Sequence, residues 1–288
     1  MREESFVRVI FVYTRIDEGK KERTCVRHIK KLFMDRTAFS VVASWLACIF
    51  AVVGAILIGV VSHGKDTSQG YLGGFSHENI FAWHPFLMTL GMICACVLAL
   101  HSYAIIPLNH NLQKVVHVFF HTCALFCFAF GLNAIVKSHN GQNSSGSYSP
   151  NLNSMHSWVG LGALVLYAQN YLLGFAYFVT RNFKGAKEYL PTHMQLGLCA
   201  LMLSTAAVVS GISEMKRCTY TVTSPDLNPA SHYGEFTSAC KKFQGGGVCV
   251  IFAAVLSMVA LIPAKPAKDH KDGYPQASDL LNPINAKQ

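Results

Sequence analysis

Long apolar runs separated by short polar stretches dominate this chain. A helix that crosses a hydrocarbon core of about 30 Å needs roughly 20 predominantly apolar residues. Six stretches qualify, at Thr37–Val61, His84–Ile106, Val115–Val136, His156–Val179, His193–Ile212 and the shortest, Gly246–Pro263. Lipid offers no partner to a backbone amide, so each run is expected to be a helix that satisfies its own N–H and C=O groups. The pattern therefore predicts an all-α protein of six transmembrane helices. The expected organisation is a basic segment over 1–36, a membrane domain over 37–263 and a polar tail over 264–288.

Six spans leave both termini on one side, and charge says which. The side with the termini carries 18 of the 24 Lys and Arg, ten of them between Arg2 and Arg36. The positive-inside rule makes that side cytoplasmic. The net charge of +9 is thus a membrane-flank feature rather than a nucleic-acid surface. Two polar features agree. The sequon at Asn143 falls in the expected outer loop between spans three and four. Cys218 and Cys240 fall in the outer loop between spans five and six, either as a disulfide or as two free thiols. The remaining span cysteines read as small apolar residues.

Histidine inside membrane spans usually marks function. Four histidines open four successive spans: His84, His117, His156 and His193. Successive spans run in opposite directions, so His84 and His156 meet at the outer face and His117 and His193 at the inner face. Two imidazoles from facing helices of a bundle are suited to clamp an iron held in a flat macrocycle. Gly91, Gly160 and Gly197 share the helical faces of His84, His156 and His193 and would let such a ring approach. Zinc or copper would need three or four ligands at one point, whereas these pairs lie a membrane apart. A histidine-lined metal or proton transporter is the competing reading.

Several motifs resemble the cytochrome b561 family. Phe81-Ala82-Trp83-His84-Pro85-Phe86-Leu87-Met88 with Gly91 resembles its WHP element, and Lys114-Val115-Val116-His117 its KxxH. Ser138-His139-Asn140 resembles the HN that closes the third helix, and Ser154-Met155-His156-Ser157-Trp158-Val159-Gly160 the HSW element. Leu190-Pro191-Thr192-His193 with Gly197, and Gly211-Ile212-Ser213-Glu214, complete the series.

The resemblance implies a central bundle of helices two to five holding two b haems per chain. His84 and His156 would hold the outer haem, His117 and His193 the inner one. It further implies electron transfer from cytoplasmic ascorbate to ferric iron, a ferric chelate or monodehydroascorbate, and a homodimer in the plasma membrane or an endosomal, lysosomal or secretory-vesicle membrane. Lys114 and Lys187 are the expected ascorbate residues, His139 and Asn140 the expected outer-substrate residues. The family's Arg at the end of helix two is Ala104 here, leaving His101 or His110 to compensate. His121, one turn after His117, is a rival ligand.

Overall fold

A computed structural model of the chain describes residues 18–141, 150–180, 184–215, 220–222 and 234–261. Six of its helices are long and apolar enough to cross a membrane. They are α1 (Glu18–His63, apolar from Ala38), α2 (Ile80–Ile105), α3 (His110–Asn140), α4 (Met155–Val179), α5 (Ala186–Glu214) and α6 (Ser238–Leu261). Four contain an expected apolar run whole, α2 ends at Ile105, one residue short of its run, and the run of α6 continues past the described residues; the chain is an integral membrane protein. Asn143, Cys218 and both terminal segments at 1–17 and 262–288 lie outside the described residues.

Helix ends differ from the apolar runs for a physical reason. Hydropathy stops at the membrane boundary, whereas backbone hydrogen bonding continues until something ends it. Thus α3 starts at His110, capped by Asn109, whose Oδ1 accepts from the Leu112 amide at 3.0 Å. Helix α5 starts after Gly185, at φ +91°, a left-handed conformation that suits glycine. His117 and His193 therefore lie two turns inside their helices, while His156 sits in the first turn of α4 and His84 just after the 3-10 turn that opens α2. A small antiparallel hairpin, β1 (Tyr220–Val222) with β2 (Gly234–Phe236), decorates the loop before α6.

Two helices contain π-helical segments, Leu90–Ala95 in α2 and Phe175–Val179 in α4. Such wider turns recur at functional sites because they re-aim the residues on either side.

Small residues set the packing. Gly54 of α1 lies against Gly246 and Cys249 of α6, and Ser40 Oγ donates to the Ala260 carbonyl at 2.9 Å. Close approach of backbones substitutes for hydrophobic drive when the solvent is itself apolar. Helix α1 packs along α6, α2 along α3, and α4 along α5. The α2–α3 pair approaches the α4–α5 pair far less closely, and the histidines project into that gap. In the loop before α2, Lys242 Nζ donates to Tyr71 Oη at 2.5 Å and draws the phenol's pKa below its usual value.

Candidate functional site

The gap between helix pairs brings together the predicted partners. The rings of His84 (α2) and His156 (α4) have centroids 6.1 Å apart, and those of His117 (α3) and His193 (α5) 6.4 Å apart. Metal–imidazole nitrogen bonds are about 2 Å long, so two imidazoles on one ion place their centroids roughly 6 Å apart. Both pairs have the spacing of two ligands on opposite sides of a single ion. Among the described residues, no group of three or more His, Cys, Asp or Glu converges as a closed zinc site would require.

Each ring is oriented through Nδ1. His84 donates to the Gly131 carbonyl (3.0 Å), His117 to Ala99 (2.9 Å) and His156 to Ala207 (2.7 Å). His193 donates to the Asn170 side-chain oxygen (3.0 Å), whose amide returns a bond to the His193 carbonyl (3.1 Å). A carbonyl oxygen only accepts, so the proton resides on Nδ1 and the Nε2 lone pair is left to point elsewhere. None of the four Nε2 atoms makes a hydrogen bond among the described residues. That tautomer and fixed ring angle characterise histidines held ready for a metal.

Glycine matters here in a different way from the sequence expectation. Gly91 does not face an open slot: a Cβ there would lie 2.6 Å from the Cys127 Cβ, so it is the contact of α2 with α3. Gly197 abuts the Asn170 amide, and Gly160 borders a cavity. The glycines that shape the sites lie on partner helices. A Cβ at Gly211 would come within 2.8 Å of the His156 ring, and one at Gly174 within 2.6 Å of the His193 ring. Gly211 stood out in the sequence only as part of a motif, its contact with His156 on another helix unforeseen, and Gly174 carried no signal at all. Asn170, one of two adjacent amides with Gln169 in an otherwise apolar stretch, was the available signal for the His193 partner.

The His84 end opens into a cavity of about 600 Å³. Its walls include both histidines, His139, Asn151, Ser154 and Glu214. His139 Nδ1 donates to Asn151 Oδ1 at 3.0 Å, and Asn151 Nδ2 donates to Asn140 Oδ1 at 3.2 Å. The expected outer-substrate residues are thus adjacent, bridged by Asn151. Glu214 Oε1 accepts from the His156 backbone amide at 3.3 Å.

The His117 end is filled by rings. His121 meets His117 edge-on at 4.5 Å, its Nδ1 3.2 Å from Tyr167 Oη, while Tyr167 donates to the His121 carbonyl at 2.8 Å. It is His117, not His121, that faces His193 in the close ring pair. Phe178 and Tyr189 cover the outer flank of His193. Lys114 donates through Nζ to the Phe178 carbonyl, and Lys187 is exposed. His101 is fully buried, with Nε2 2.8 Å from Ser257 Oγ, far from any solvent-facing role. Cys240 is buried and disulfide-bonded.

Comparison with known proteins settles the family. The profile of eukaryotic cytochrome b561 matches residues 83–218, the stretch that carries all four histidines. Transmembrane ascorbate ferrireductase 1 of Arabidopsis thaliana is 33% identical over 180 residues, 59% of this chain and 70% of that one. The chain belongs to the cytochrome b561 family. Ascorbate-specific transmembrane electron transporter 1 of Zea mays is 31% identical, over 68% of this chain and 80% of its own length. The lysosomal membrane ascorbate-dependent ferrireductase CYB561A3 of Mus musculus is 35% identical, over 51% of this chain and 62% of its own. The spacing and tautomers of the four imidazoles fit a b-type haem, the group they would hold.

Proposed function

We propose that this cytochrome b561 relative carries electrons across its membrane, from ascorbate on the cytoplasmic side to a ferric chelate or monodehydroascorbate on the other. His84 and His156 would hold one b haem, His117 and His193 a second. The observation that carries the reading is the pair of two-imidazole sites at opposite ends of one bundle, 6.1 and 6.4 Å between centroids, each ring oriented through Nδ1. The relatives' names, ascorbate ferrireductase and ascorbate-specific electron transporter, support the donor and the reaction class.

When bound, haem iron supplies one-electron chemistry at a potential set by its axial ligands, their hydrogen bonds and the surrounding dielectric. The chain's own contribution is geometric and electrostatic. Carbonyls of Gly131, Ala99 and Ala207 and the Asn170 amide hold the four rings and raise their basicity. The apolar cluster of Met92, Ala95, Cys96, Ala124, Leu164, Tyr167 and Ala200 fills the bundle between the sites and keeps water out. Two sites are needed because one cannot reach both faces of a core about 30 Å thick.

Sidedness follows from charge. With 18 of 24 Lys and Arg on the side of the termini, the His117 end is cytoplasmic and receives the donor. Lys114 and Lys187 supply positive charge for an ascorbate anion there. The cavity at the His84 end is bordered by both histidines and would take up the haem they hold. His139 and Asn151 at its wall, with Asn140 bonded to Asn151, offer polar groups to the acceptor.

The reading is tested by reconstituting the protein into vesicles loaded with ascorbate and presenting ferric chelate outside. Ferrous iron should appear outside only when ascorbate is inside and the four histidines are intact. Equal rates from a quadruple His→Ala chain would contradict it. Monodehydroascorbate offered in the same vesicles distinguishes the two acceptors.

A further inference from the structure

Three of the four histidines are oriented by backbone carbonyls, and two of those carbonyls are shared. His117 Nδ1 and Ser102 Oγ both donate to the Ala99 carbonyl of α2, at 2.9 and 2.8 Å. His156 Nδ1 and Ser210 Oγ both donate to the Ala207 carbonyl of α5, at 2.7 and 3.1 Å. In each case the serine stands three residues after the alanine. The carbonyl that holds His84 has no such neighbour, because Ala134 and Ile135 occupy the positions three and four residues after Gly131. Among the described residues, each pair thus joins one ring on a shared carbonyl to one ring on an unshared acceptor, Gly131 or the Asn170 side chain.

The backbone does not require this sharing. Ala99 and Ala207 lie inside their helices, where a carbonyl already accepts the amide four residues on. A carbonyl oxygen has two lone pairs, so the histidine takes what the helix leaves and the hydroxyl is a third donor to one atom. Serine and threonine in membrane helices commonly bond back to a carbonyl three or four residues earlier, as Thr205 does to Leu201 at 2.9 Å. What sets Ser102 and Ser210 apart is the imidazole on the same oxygen. The two bonds are also unequal. Ser102 is fully buried and directs its hydroxyl at Ala99, whereas Ser210 divides its hydroxyl between Ala207 and the Ala206 carbonyl at 2.8 Å.

We propose that Ser102 is a positioning residue that sets the donor strength of His117, with Ser210 its weaker counterpart for His156. This rests on the reading that the two pairs hold haem iron and adds how their ligand strengths are graded. Donors to one oxygen compete. The Ser102 proton withdraws density from the Ala99 carbonyl, which then pulls less on the Nδ1 proton of His117 and leaves Nε2 a weaker base. A weaker imidazole donor favours ferrous over ferric iron, since axial ligands and their hydrogen bonds set the potential. Ser102 therefore holds the His117–His193 site at a higher potential than the unshared carbonyl would give.

The test is a two-component redox titration of the purified full chain, with haem per chain measured on each variant and the components assigned through His117→Ala and His156→Ala. Ser102→Ala should shift the ferric-to-ferrous ratio of the His117–His193 component about threefold toward ferric, a potential lower by roughly 30 mV at 59 mV per tenfold for one electron. The other component should stay in place. Ser102→Cys, whose thiol is a weak donor, should fall between wild type and Ser102→Ala. Ser210→Ala should lower the His84–His156 component by less. Thr205→Val, which takes a hydroxyl from a carbonyl that holds no histidine, should move neither. An unchanged or raised potential in Ser102→Ala with both haems retained would overturn the proposal, as would an equal shift in Thr205→Val. Loss of haem from Ser102→Ala would also overturn it, by making the hydroxyl structural. A wild-type chain without haem at His117 and His193 would instead sink the reading on which the proposal rests.

Discussion

The two histidine pairs of the bundle are oriented by different materials. At the His84 end both ring partners are backbone carbonyls, Gly131 and Ala207, and the histidines border a 600 Å³ cavity lined by His139, Asn151 and Glu214. At the His117 end one partner is a side chain, Asn170, and the surroundings are aromatic: Tyr103, His121, Phe178 and Tyr189. The first end has space; the second has contacts. The walls of the first are mostly apolar with a few polar side chains, and those of the second are aromatic rings. The difference predicts that substitutions near His84 alter acceptor use, while those near His117 alter the donor step and the properties of the site itself.

The largest effects should come from the ligands. His117→Ala should remove one haem per chain and spare the site at His84, and His156→Ala should do the converse, as read by haem content and low-temperature spectra. His121→Ala should keep both haems, because the ring facing His193 belongs to His117. Loss of the same signal in His121→Ala alone would reverse that assignment.

Next come the partner-helix glycines. Gly211→Val would drive side-chain atoms into the His156 ring and Gly174→Val into that of His193. Overpacking of this kind costs about 1–3 kcal/mol, here paid by displacement of one ligand. Each variant should lower haem content at its own end only, which two-component redox titration would resolve.

Asn170→Leu sharpens the contrast between side-chain and backbone support. Loss of such a partner lowers metal-site affinity or activity about 10–100-fold. The titration should show a shifted potential for the His117 end alone. No side-chain substitution removes a ring partner at the His84 end, where carbonyls hold both rings.

The smallest effect is expected from His139→Ala, which removes the hydrogen bond to Asn151 at the cavity wall. It should slow ferric-chelate reduction by a few-fold, roughly the worth of one hydrogen bond, and leave reduction of the protein by ascorbate unaltered. A slower ascorbate step in this variant would place the donor at the wrong end.

Much of this was legible in the chain because lipid imposes strict rules. Apolar runs long enough to span must be helices, and among the described residues each of the six runs lies within one, to within a residue or two at its ends. Alternating direction then places His84 near His156 and His117 near His193, and their ring centroids lie 6.1 and 6.4 Å apart. Residues that act across helices were not legible. Gly174 and Gly211 accommodate histidines 19 and 55 positions away in sequence, and periodicity along one helix carries no information about its neighbour. Gly91 obeys the face rule yet serves helix packing, since close approach and open space both favour glycine. The polar starts of α3 and α5 fell outside the hydropathic runs, which hid the two-turn depth of His117 and His193. His101 and His110 looked equivalent in sequence; in the structure the first is buried against Ser257 and the second is exposed beside Tyr103.

The central claim is that one chain holds two haems, one at each histidine pair, and that ascorbate reduces them. Haem quantified per chain in purified protein, with difference spectra before and after ascorbate, tests it most directly. The account predicts two haems per chain, both reduced by ascorbate. A well-folded protein without haem, or with a single haem that survives both His117→Ala and His156→Ala, would contradict it.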